Sequence, residues 1–261
     1  MAFKANYHTH TPRCKHASGT EKEYCEKAIE NGFSVVGFSD HCAWPYENGF
    51  VSTFHMDLNR LPDYVEAVNA VRREYAGRLE IHLGWECEHY PAYMNWLAET
   101  KEQYGFEYFI LGNHFDTTDN GGQYFGGCKS PEQLKRYVKM CTEGLESGLF
   151  LYFAHPDLFL RVYPEFDQHA RAASLELCRN AKALGIPLEY NLLGLINCKN
   201  IETGLRYPCR AFWETAAEVG VDSVVGLDAH SPDRFNEQAE WAEACAFLDS
   251  LGLNRIERFA L

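Results

Sequence analysis

The chain has 261 residues, of which 46% are hydrophobic, so it is long and apolar enough for one α/β barrel with a large core. Its formal net charge of −13 argues against a general nucleic-acid surface unless bound cations compensate for it. The N-terminal segment MAFKANYHTH has no apolar signal core, and no apolar run approaches the ~18 residues of a membrane span. These features predict a cytoplasmic protein without a membrane partner, folded as one domain over residues 1–261.

The ten cysteines are irregularly spaced and none belongs to a CxxC pair. Such spacing is not typical of a zinc ribbon or of a disulfide framework. It predicts mostly buried, reduced thiols in a reducing compartment.

The predicted elements alternate between short apolar strands and longer helices. In chain order they are a strand within KANYHTH, a helix at 21–32, a strand at 35–41, a helix at 61–75, a strand at 79–86, a helix at 92–104, a strand at 107–114, a helix at 130–148, a strand at 149–155, a helix at 170–185, a strand at 186–191, a helix at 209–220, a strand at 222–230 and a helix at 236–251. Gly32 is placed to end the first helix, and Ser130 with Pro131 to begin the fourth. Seven βα units with near-continuous apolar strands predict a parallel sheet, closed or open.

Polar residues stand at the end of every predicted strand, whereas the strand interiors are almost free of charge. These residues are His8, His10, Asp40, His41, Glu86, His114, His155, Asn191, Asp228 and His230. In a barrel the C-terminal ends of the strands line one mouth, where active sites lie. The fold would therefore gather these side chains at one end.

The residue types at these strand ends indicate a metal centre. His8 and His10 are two apart, as are Asp228 and His230, so each pair can face one ion. A single buried histidine is more often a core residue than a ligand, but so many at strand ends favour metal binding. Imidazoles with a few carboxylates suit zinc, iron or manganese. Eight or nine ligands are too many for one tetrahedral ion, so two or three divalent ions are expected.

Seven segments carry a resemblance to a known family. HTHTPRCKH, GFSDH, GWE, GNH, AHPD, EYN and GLDAHSP follow one another between Tyr7 and Pro232. The chain resembles the PHP superfamily, named for polymerases and histidinol phosphatases, and within it the stand-alone histidinol-phosphate phosphatase type. This resemblance implies a distorted, TIM-like (βα)7 barrel with a trinuclear metal site at the C-terminal strand ends.

The resemblance also implies a ligand set. His8, His10, Glu86 and Asp228 would hold the first metal, and Glu86 would bridge to a second completed by His114 and His155. His16, His41 and His230 would hold the third. The choice of Glu86 over Glu88 rests on the family pattern Gly-x-Glu, because strand alternation alone permits either.

Phosphate recognition requires cations besides the metals. Arg161, in AHPDLFLRVYPEF, and Arg206, in ETGLRYPCR, match family segments that carry arginines, and a guanidinium fits phosphate oxygens in pairs. Arg13, between His10 and His16, is a weaker candidate. For each arginine the alternative is a solvated surface charge.

The resemblance implies a metal-dependent phosphomonoesterase that hydrolyses L-histidinol phosphate in histidine biosynthesis. A metal-bound hydroxide, held by Glu86 and Asp228, would attack phosphorus. The residues by themselves support a small phosphate-ester substrate and no nucleic-acid partner, and they do not fix the oligomeric state. Three acids near the mouth, Glu88, Asp116 and Asp157, are possible partners for the substrate amine.

Three alternatives stay open at this point. One is a PHP phosphoesterase for another small ester, such as a nucleotide; the others are a polymerase-associated binding module and a metal-dependent hydrolase of C–N or C–O bonds. Four further histidines match no ligand position: His55, His82, His89 and His169. Of these, His82 is expected in the core or facing a helix, and His89 could touch the substrate. Asp40 could orient a ligand imidazole.

Overall fold

A computed structural model describes residues 4–47, 49–199, 202 and 204–261. Seven parallel strands form one sheet whose spatial order is the order of the chain. The strands are β1 (Ala5–Asn6), β2 (Val35–Phe38), β3 (Glu80–Cys87), β4 (Tyr108–Leu111), β5 (Phe150–Phe153), β6 (Leu188–Asn191) and β7 (Ser223–Gly226). This arrangement confirms the predicted parallel sheet.

The sheet closes between the chain segments that follow β1 and β7. Thr9 forms a parallel bridge with Ala229, whose N–H donates to the carbonyl of His8 at 3.1 Å. The carbonyl of Ala229 accepts from the N–H of His10 at 2.9 Å. The result is the predicted (βα)7 barrel, with its closure confined to this short seam at the mouth.

The helices lie between consecutive strands or follow the last one. They are α1 (Glu21–Glu30), α2 (Leu61–Glu74), α3 (Met94–Tyr104), α4 (Pro131–Glu146), α5 (Gln168–Leu184), α6 (Leu192–Asn197), α7 (Arg210–Val219) and α8 (Gln238–Ser250). Seven of them match predicted helices. The sequence analysis missed α6, a helix of six residues directly after β6, whose N-cap Asn191 accepts from the N–H of Gly194.

Local capping sets where the predicted helices begin. The Thr20 side chain accepts from the N–H of Glu23, and the Glu23 carboxylate accepts from the N–H of Thr20, so both orphan donors at the start of α1 are satisfied. The same capping box joins Ser130 and Gln133 at α4. Both boxes are readable from the sequence spacing.

Alternate strand residues belong to two separate apolar clusters. One cluster lies inside the barrel and includes Tyr7, Val35, Tyr108, Ile110 and Tyr152. The other lies between the sheet and the helices and includes Val36, Phe38, Phe109, Leu111 and Phe153. Both faces of each strand are therefore buried, which explains the near-continuous apolar runs.

Several strands end earlier than predicted. β2 ends at Phe38, β5 at Phe153 and β7 at Gly226, a few residues before the polar groups that the sequence placed at strand ends. His155 and Asp228 have φ values of +33° and +50°, which a strand cannot accommodate. The polar residues thus lie just beyond the ladder, on backbone that turns into the mouth.

The cysteines agree with the prediction of mostly buried thiols. None of the ten cysteines, all of which the structure describes, forms a disulfide, and nine are buried. Within the described part of the chain, no helix combines the length and apolarity required to cross a membrane.

Candidate metal centre

Nine predicted ligands meet at the mouth of the barrel. Eight of them fall into four groups whose donor atoms lie within 4.8 Å of one another: His8, His10 and Asp228; His8, Glu86 and His155; His10, His41 and Glu86; and His16, His41 and His230. The ninth, His114, places Nε2 3.6 Å from Glu86 Oε1. The structure therefore brings all nine together, although they come from segments on six different strands.

Four buried donor atoms face one another without hydrogen bonds. His8 Nε2 lies 3.4 Å from Glu86 Oε2, and His10 Nε2 lies 3.1 Å from Asp228 Oδ1. None of these four atoms has a hydrogen-bond partner among the described residues, and all are shielded from solvent. Buried polar atoms are normally satisfied, so four converging lone pairs fit a bound cation.

Glu86 lies between two sides of the site. Its Oε1 is 2.7 Å from His155 Nε2, and its Oε2 is 3.0 Å from His41 Nδ1. A carboxylate with different imidazoles at its two oxygens can contact two ions at once. This placement agrees with the bridging role implied by the family resemblance.

The third group has a looser geometry. His16 follows a 3-10 helix, Pro12–Cys14, and is the most exposed of the nine. Its Nδ1 lies 2.8 Å from the carbonyl of Cys14, and Nδ1 of His230 lies 3.0 Å from the carbonyl of Asp228. Each carbonyl can only accept, so Nδ1 carries the proton and Nε2 keeps its lone pair for a metal.

Three carboxylates support ligand histidines from behind. Glu189 Oε1 lies 2.8 Å from His8 Nδ1, and Glu88 Oε1 lies 3.1 Å from His114 Nδ1. Asp40 Oδ1 is 3.4 Å from His10 Nδ1 and also accepts from the N–H of His41 at 2.9 Å. Such partners fix the imidazole tautomer so that Nε2 can bind metal.

Sequence reasoning missed Glu189. It lies inside β6, is fully buried and also accepts from the N–H of His155 and the amide of Asn191. The available signal was a single acid within the otherwise apolar run IPLEYN. An acid in a buried strand requires a partner, and here that partner is a ligand.

The electrostatics of the mouth favour a cation. Burial alone would lower the pKa of His8, but Glu189, Asp228 and Glu86 raise it to about 10. Burial would raise the pKa of Glu86, yet the surrounding imidazoles hold it well below its ordinary value. Burial and the neighbouring imidazoles His230 and His10 lower the pKa of His16 to about 4. Ionised carboxylates that draw positive charge to the mouth in this way, together with imidazoles, form a donor set suited to divalent metals, whose binding would displace the imidazole protons.

Two glycines leave room for the carboxylates. A Cβ at Gly112, in GNH, would overlap Oε1 of Glu86, and a Cβ at Gly226, in GLDAH, would overlap Oε1 of Glu189. Both glycines are therefore required by close approach rather than by an unusual backbone angle.

A cavity of about 440 Å³ opens above the nine residues, a volume that suits a small ligand. Besides six of the candidate ligands, it is lined by Phe54, Tyr124, Leu158, Arg161, Leu193, Asn197, Cys198, Tyr207 and Arg234. Sequence reasoning had singled out only Arg161 of these. Arg234 follows the GLDAHSP segment and is a second cation in the wall.

The other candidate arginines lie elsewhere. Arg206 is not among the residues that line this cavity, and its Nη1 donates to the carbonyl of Lys199 at 3.5 Å. Arg13 pairs with Glu21 and Asp63 on the outer side of the mouth. The geometry therefore favours Arg161 over both as an anion ligand.

The three acids considered for the substrate amine already have partners. Glu88 bonds His55, His114 and Trp44, and Asp157 accepts from the N–H of Cys209 at 2.6 Å. Asp116 pairs with Arg136 at 2.8 Å. Glu88 and Asp157 are almost fully buried, so neither can meet a substrate amine in this arrangement.

The four histidines outside the ligand set also have separate places. His82 lies inside the barrel between Glu80 and Glu107, which confirms its expected core position. His89 packs against Gly144 of α4 and does not line the cavity. His169 lies on the surface at the start of α5, and His55 is buried behind Glu88.

Comparison with known proteins agrees with this geometry. The model of the PHP domain family matches residues 6–192. The chain belongs to the PHP domain family. The matched stretch contains seven of the nine candidate ligands, and the fold adds Asp228 and His230 from beyond it.

Within the PHP family, the chain is similar to several individual proteins and to a solved structure. It is 30% identical over 247 residues to "Probable histidinol-phosphatase" of Deinococcus radiodurans, which covers 89% of this chain and 88% of that protein. It is 25% identical over 254 residues to the histidinol-phosphatase of Bacillus subtilis, covering 87% and 93% of the two chains. Its fold is similar to that of a histidinol phosphate phosphatase from Lactococcus lactis, solved with zinc, L-histidinol and phosphate. That likeness has a TM-score of 0.73 at 18% identity and covers 97% and 95% of the chains.

Proposed function

We propose that this PHP protein is a metal-dependent phosphatase that hydrolyses L-histidinol phosphate to L-histidinol and phosphate. The observation that carries the proposal is the set of four buried, unpartnered donors on His8, His10, Glu86 and Asp228 beneath a cavity with an arginine in its wall. The names of the two relatives supply the substrate.

The proposed ligand roles follow the groups in the mouth. His8, His10, Glu86 and Asp228 would hold one ion. Glu86, His114 and His155 would hold a second, and His16, His41 and His230 a third. Zinc, iron or manganese suits this mixture of imidazoles and carboxylates.

When bound, the ions would supply Lewis-acid charge that polarises the phosphate and lowers the pKa of an attacking water. The chain itself contributes the geometry. Glu189 and Glu88 hold two imidazoles from behind, and the ionised Glu86 and Asp228 would hold the ions. We therefore propose that Glu86 and Asp228 would position the attacking hydroxide through the ions that they would hold.

We propose Arg161 and Arg206 as phosphate ligands. Arg161 lines the cavity at the end of the 3-10 helix Leu158–Leu160, and a guanidinium there can pair with two phosphate oxygens. Arg206 would first have to leave the carbonyl of Lys199. The role of these arginines can be tested through KM for the phosphate ester, whereas the metal ligands are tested through the amount of bound metal.

We further propose that the chain acts in the cytoplasm, as one domain and without a nucleic-acid partner. The ten unpaired cysteines support this location. The net charge of −13 argues against a basic nucleic-acid-binding surface.

The deciding experiment combines metal analysis with phosphate release. Protein purified without chelator is expected to hold two or three divalent ions and to prefer L-histidinol phosphate over sugar, nucleotide and amino-alcohol phosphates. Bound metal with a preference for another ester, such as a nucleotide, would retain the chemistry and reject the substrate. Protein that neither binds metal nor releases phosphate after zinc, iron or manganese is added would contradict the whole proposal.

A further inference from the structure

A buried chain of polar contacts runs outward from His114. Its Nδ1 lies 3.1 Å from Glu88 Oε1, and the same oxygen lies 2.9 Å from His55 Nε2. The other oxygen of Glu88 accepts from the indole N–H of Trp44 at 2.9 Å. Glu88 is 1% exposed and His55 is fully buried, so solvent cannot replace any of these contacts.

The far side of His55 is also fixed. Its Nδ1 lies 3.1 Å from the hydroxyl of Tyr46 and 3.2 Å from that of Ser52. The Glu88 carboxylate can only accept, so Nε2 of His55 carries a proton, and the two hydroxyls can either accept from Nδ1 or donate to it. Each contact along this line therefore has a donor and an acceptor.

Asp119 lies beside this chain of contacts without a hydrogen bond to it. Its Oδ2 accepts from the N–H and the hydroxyl of Thr53 at 2.7 and 2.9 Å, and its buried Oδ1 is 3.9 Å from His55 Nδ1. Phe54 and Tyr124, which flank these contacts in sequence, both line the cavity. The hydrogen-bonded chain itself therefore runs from His114 through Glu88 to His55.

Glu88 also determines what His114 can do. An acceptor at Nδ1 requires the proton on that nitrogen, so Nε2 keeps its lone pair 3.6 Å from Glu86 Oε1, on the metal side. The carboxylate of Glu88 could rotate about its side-chain bonds if it had no other partners. The hydrogen bonds from His55 and Trp44 to its two oxygens prevent this rotation.

We propose that Glu88 and His55 are positioning residues: Glu88 orients His114 toward the second metal, and His55 holds Glu88 in place. The inference rests on the proposed metal-dependent phosphatase function. It concerns residues that the ligand set does not include, and it gives the second acid of GWECEH a role distinct from that of the first.

The first test compares Glu88→Gln with the matched variant Glu107→Gln. Glu107 also bonds a histidine, His82, at 2.9 Å, but inside the barrel and away from the mouth. Chelator competition with zinc is expected to show about 10–100-fold weaker binding of one ion in Glu88→Gln. Glu107→Gln should bind zinc as the wild type does, whatever its melting temperature.

The second test separates positioning from packing at residue 55. His55→Leu removes the donor to Glu88, whereas the amide of His55→Gln can occupy the position of Nε2 and still donate. Zinc affinity should fall about tenfold or more in His55→Leu and recover in His55→Gln. With p-nitrophenyl phosphate at limiting zinc, kcat should follow the same order while KM stays nearly constant.

Each outcome decides the question. Equal zinc affinity in the wild type, Glu88→Gln and His55→Leu would overturn the inference even if the wild type hydrolyses histidinol phosphate. Weakened zinc binding in both variants would support it even if another ester proved to be the substrate. If Glu88→Gln does not fold, the pair at residue 55 gives the same decision.

Discussion

At the scale of single residues, Glu86 connects most of the mouth. Five imidazoles lie within 3.6 Å of its two oxygens: His8, His10, His41, His114 and His155. A displacement of this carboxylate would therefore disturb several candidate ligands at once. Misplacement by about 1 Å near a reacting centre can cost about 100-fold in rate.

Gly112→Ala should displace that carboxylate, because the added methyl group overlaps Glu86 Oε1. We expect phosphatase kcat/KM to fall by about 100-fold and bound zinc to decrease. Gly127→Ala, in the segment after β4, is the control, since its nearest new contact is 4.0 Å from Tyr124. Near-wild-type zinc content in Gly112→Ala would contradict the crowding argument.

Arg161→Lys tests the anion-binding role of the cavity wall. A lysine keeps the charge but loses the planar pair of donors, so KM for the phosphate ester should rise about tenfold, or about 1.4 kcal/mol. Arg13→Lys is the control, because Arg13 pairs with Glu21 and Asp63 away from the cavity. Steady-state kinetics of both variants measures this change. An equal KM in Arg161→Lys and the wild type would contradict the role of Arg161 as a phosphate ligand.

At the scale of elements, the fold is built from strands buried on both faces and helices with local start signals. The polar residues of β3 have different roles at the two ends of the strand. His82, near its beginning, lies between Glu80 and Glu107 inside the barrel, whereas Glu86, near its end, faces the mouth. His82 and its two carboxylate partners stabilise the barrel, whereas Glu86 belongs to the candidate metal centre.

Thr20→Ala should destabilise the start of α1. Removing the hydroxyl leaves the N–H of Glu23 without its capping acceptor, at a cost of about 1 kcal/mol in the free energy of unfolding. Urea denaturation measures this change, and Thr20→Ser should restore it because the oxygen returns. Equal midpoints for all three proteins would show that the box contributes nothing.

The pairs around His82 predict a pH-dependent contribution to stability. Burial lowers the pKa of His82, but its bonds to Glu107 and Glu80 outweigh this and raise it. Stabilisation is therefore fully present below about pH 6.5 and is lost as pH rises through the raised value. The wild type should exceed His82→Gln by no more than about 1 kcal/mol in acid, because both carboxylates are partly solvated.

Urea unfolding at about pH 6 and about pH 9.5 checks the sign of this effect. The gap between wild type and His82→Gln should narrow at the higher pH. His169→Gln, at an exposed position, provides the comparison for a histidine without such pairs. A gap that widens with pH would contradict the assignment.

The elements show which features a sequence can predict. The strands, seven helices and the nine converging residues follow from periodicity, caps and the family segments. Glu189 could not be assigned a role, because only the closed barrel places it 2.8 Å from His8, far away in sequence. Likewise, the alternation of β3 allowed either Glu86 or Glu88 as a metal ligand. Only the tertiary contacts show that Glu86 faces the mouth and that Glu88 lies behind it, against His55 and Trp44. Helix α6 is too short for periodicity to reveal.

At the scale of the whole molecule, the candidate metal centre lies across the seam of the barrel. His8 and His10 follow β1, and Asp228 and His230 follow β7, so bound ions would link the two edges that only a short bridge joins. Metal binding and barrel closure should therefore be coupled energetically.

Removal of metal by a chelator should lower the melting temperature and abolish phosphate release. The shift should grow with free zinc, by about 1.4 kcal/mol of stability for each tenfold excess over Kd. Calorimetry of chelated protein titrated with zinc measures it, and calcium serves as the control because this donor set is poor in oxygen. A melting temperature independent of zinc would contradict the coupling.

The seam also sets an order of events in the cell. The N–H of Leu227 donates to the side chain of Asn6, 221 positions earlier, and the neighbouring bridge joins Thr9 to Ala229. At roughly 5–20 residues per second, a ribosome needs tens of seconds to deliver the second half of this contact. During that interval the early histidines His8, His10 and His16 are exposed without their carboxylate partner Asp228. The candidate metal centre can therefore be complete only after Asp228 and His230, the last of its nine residues, have been synthesised and the seam has closed.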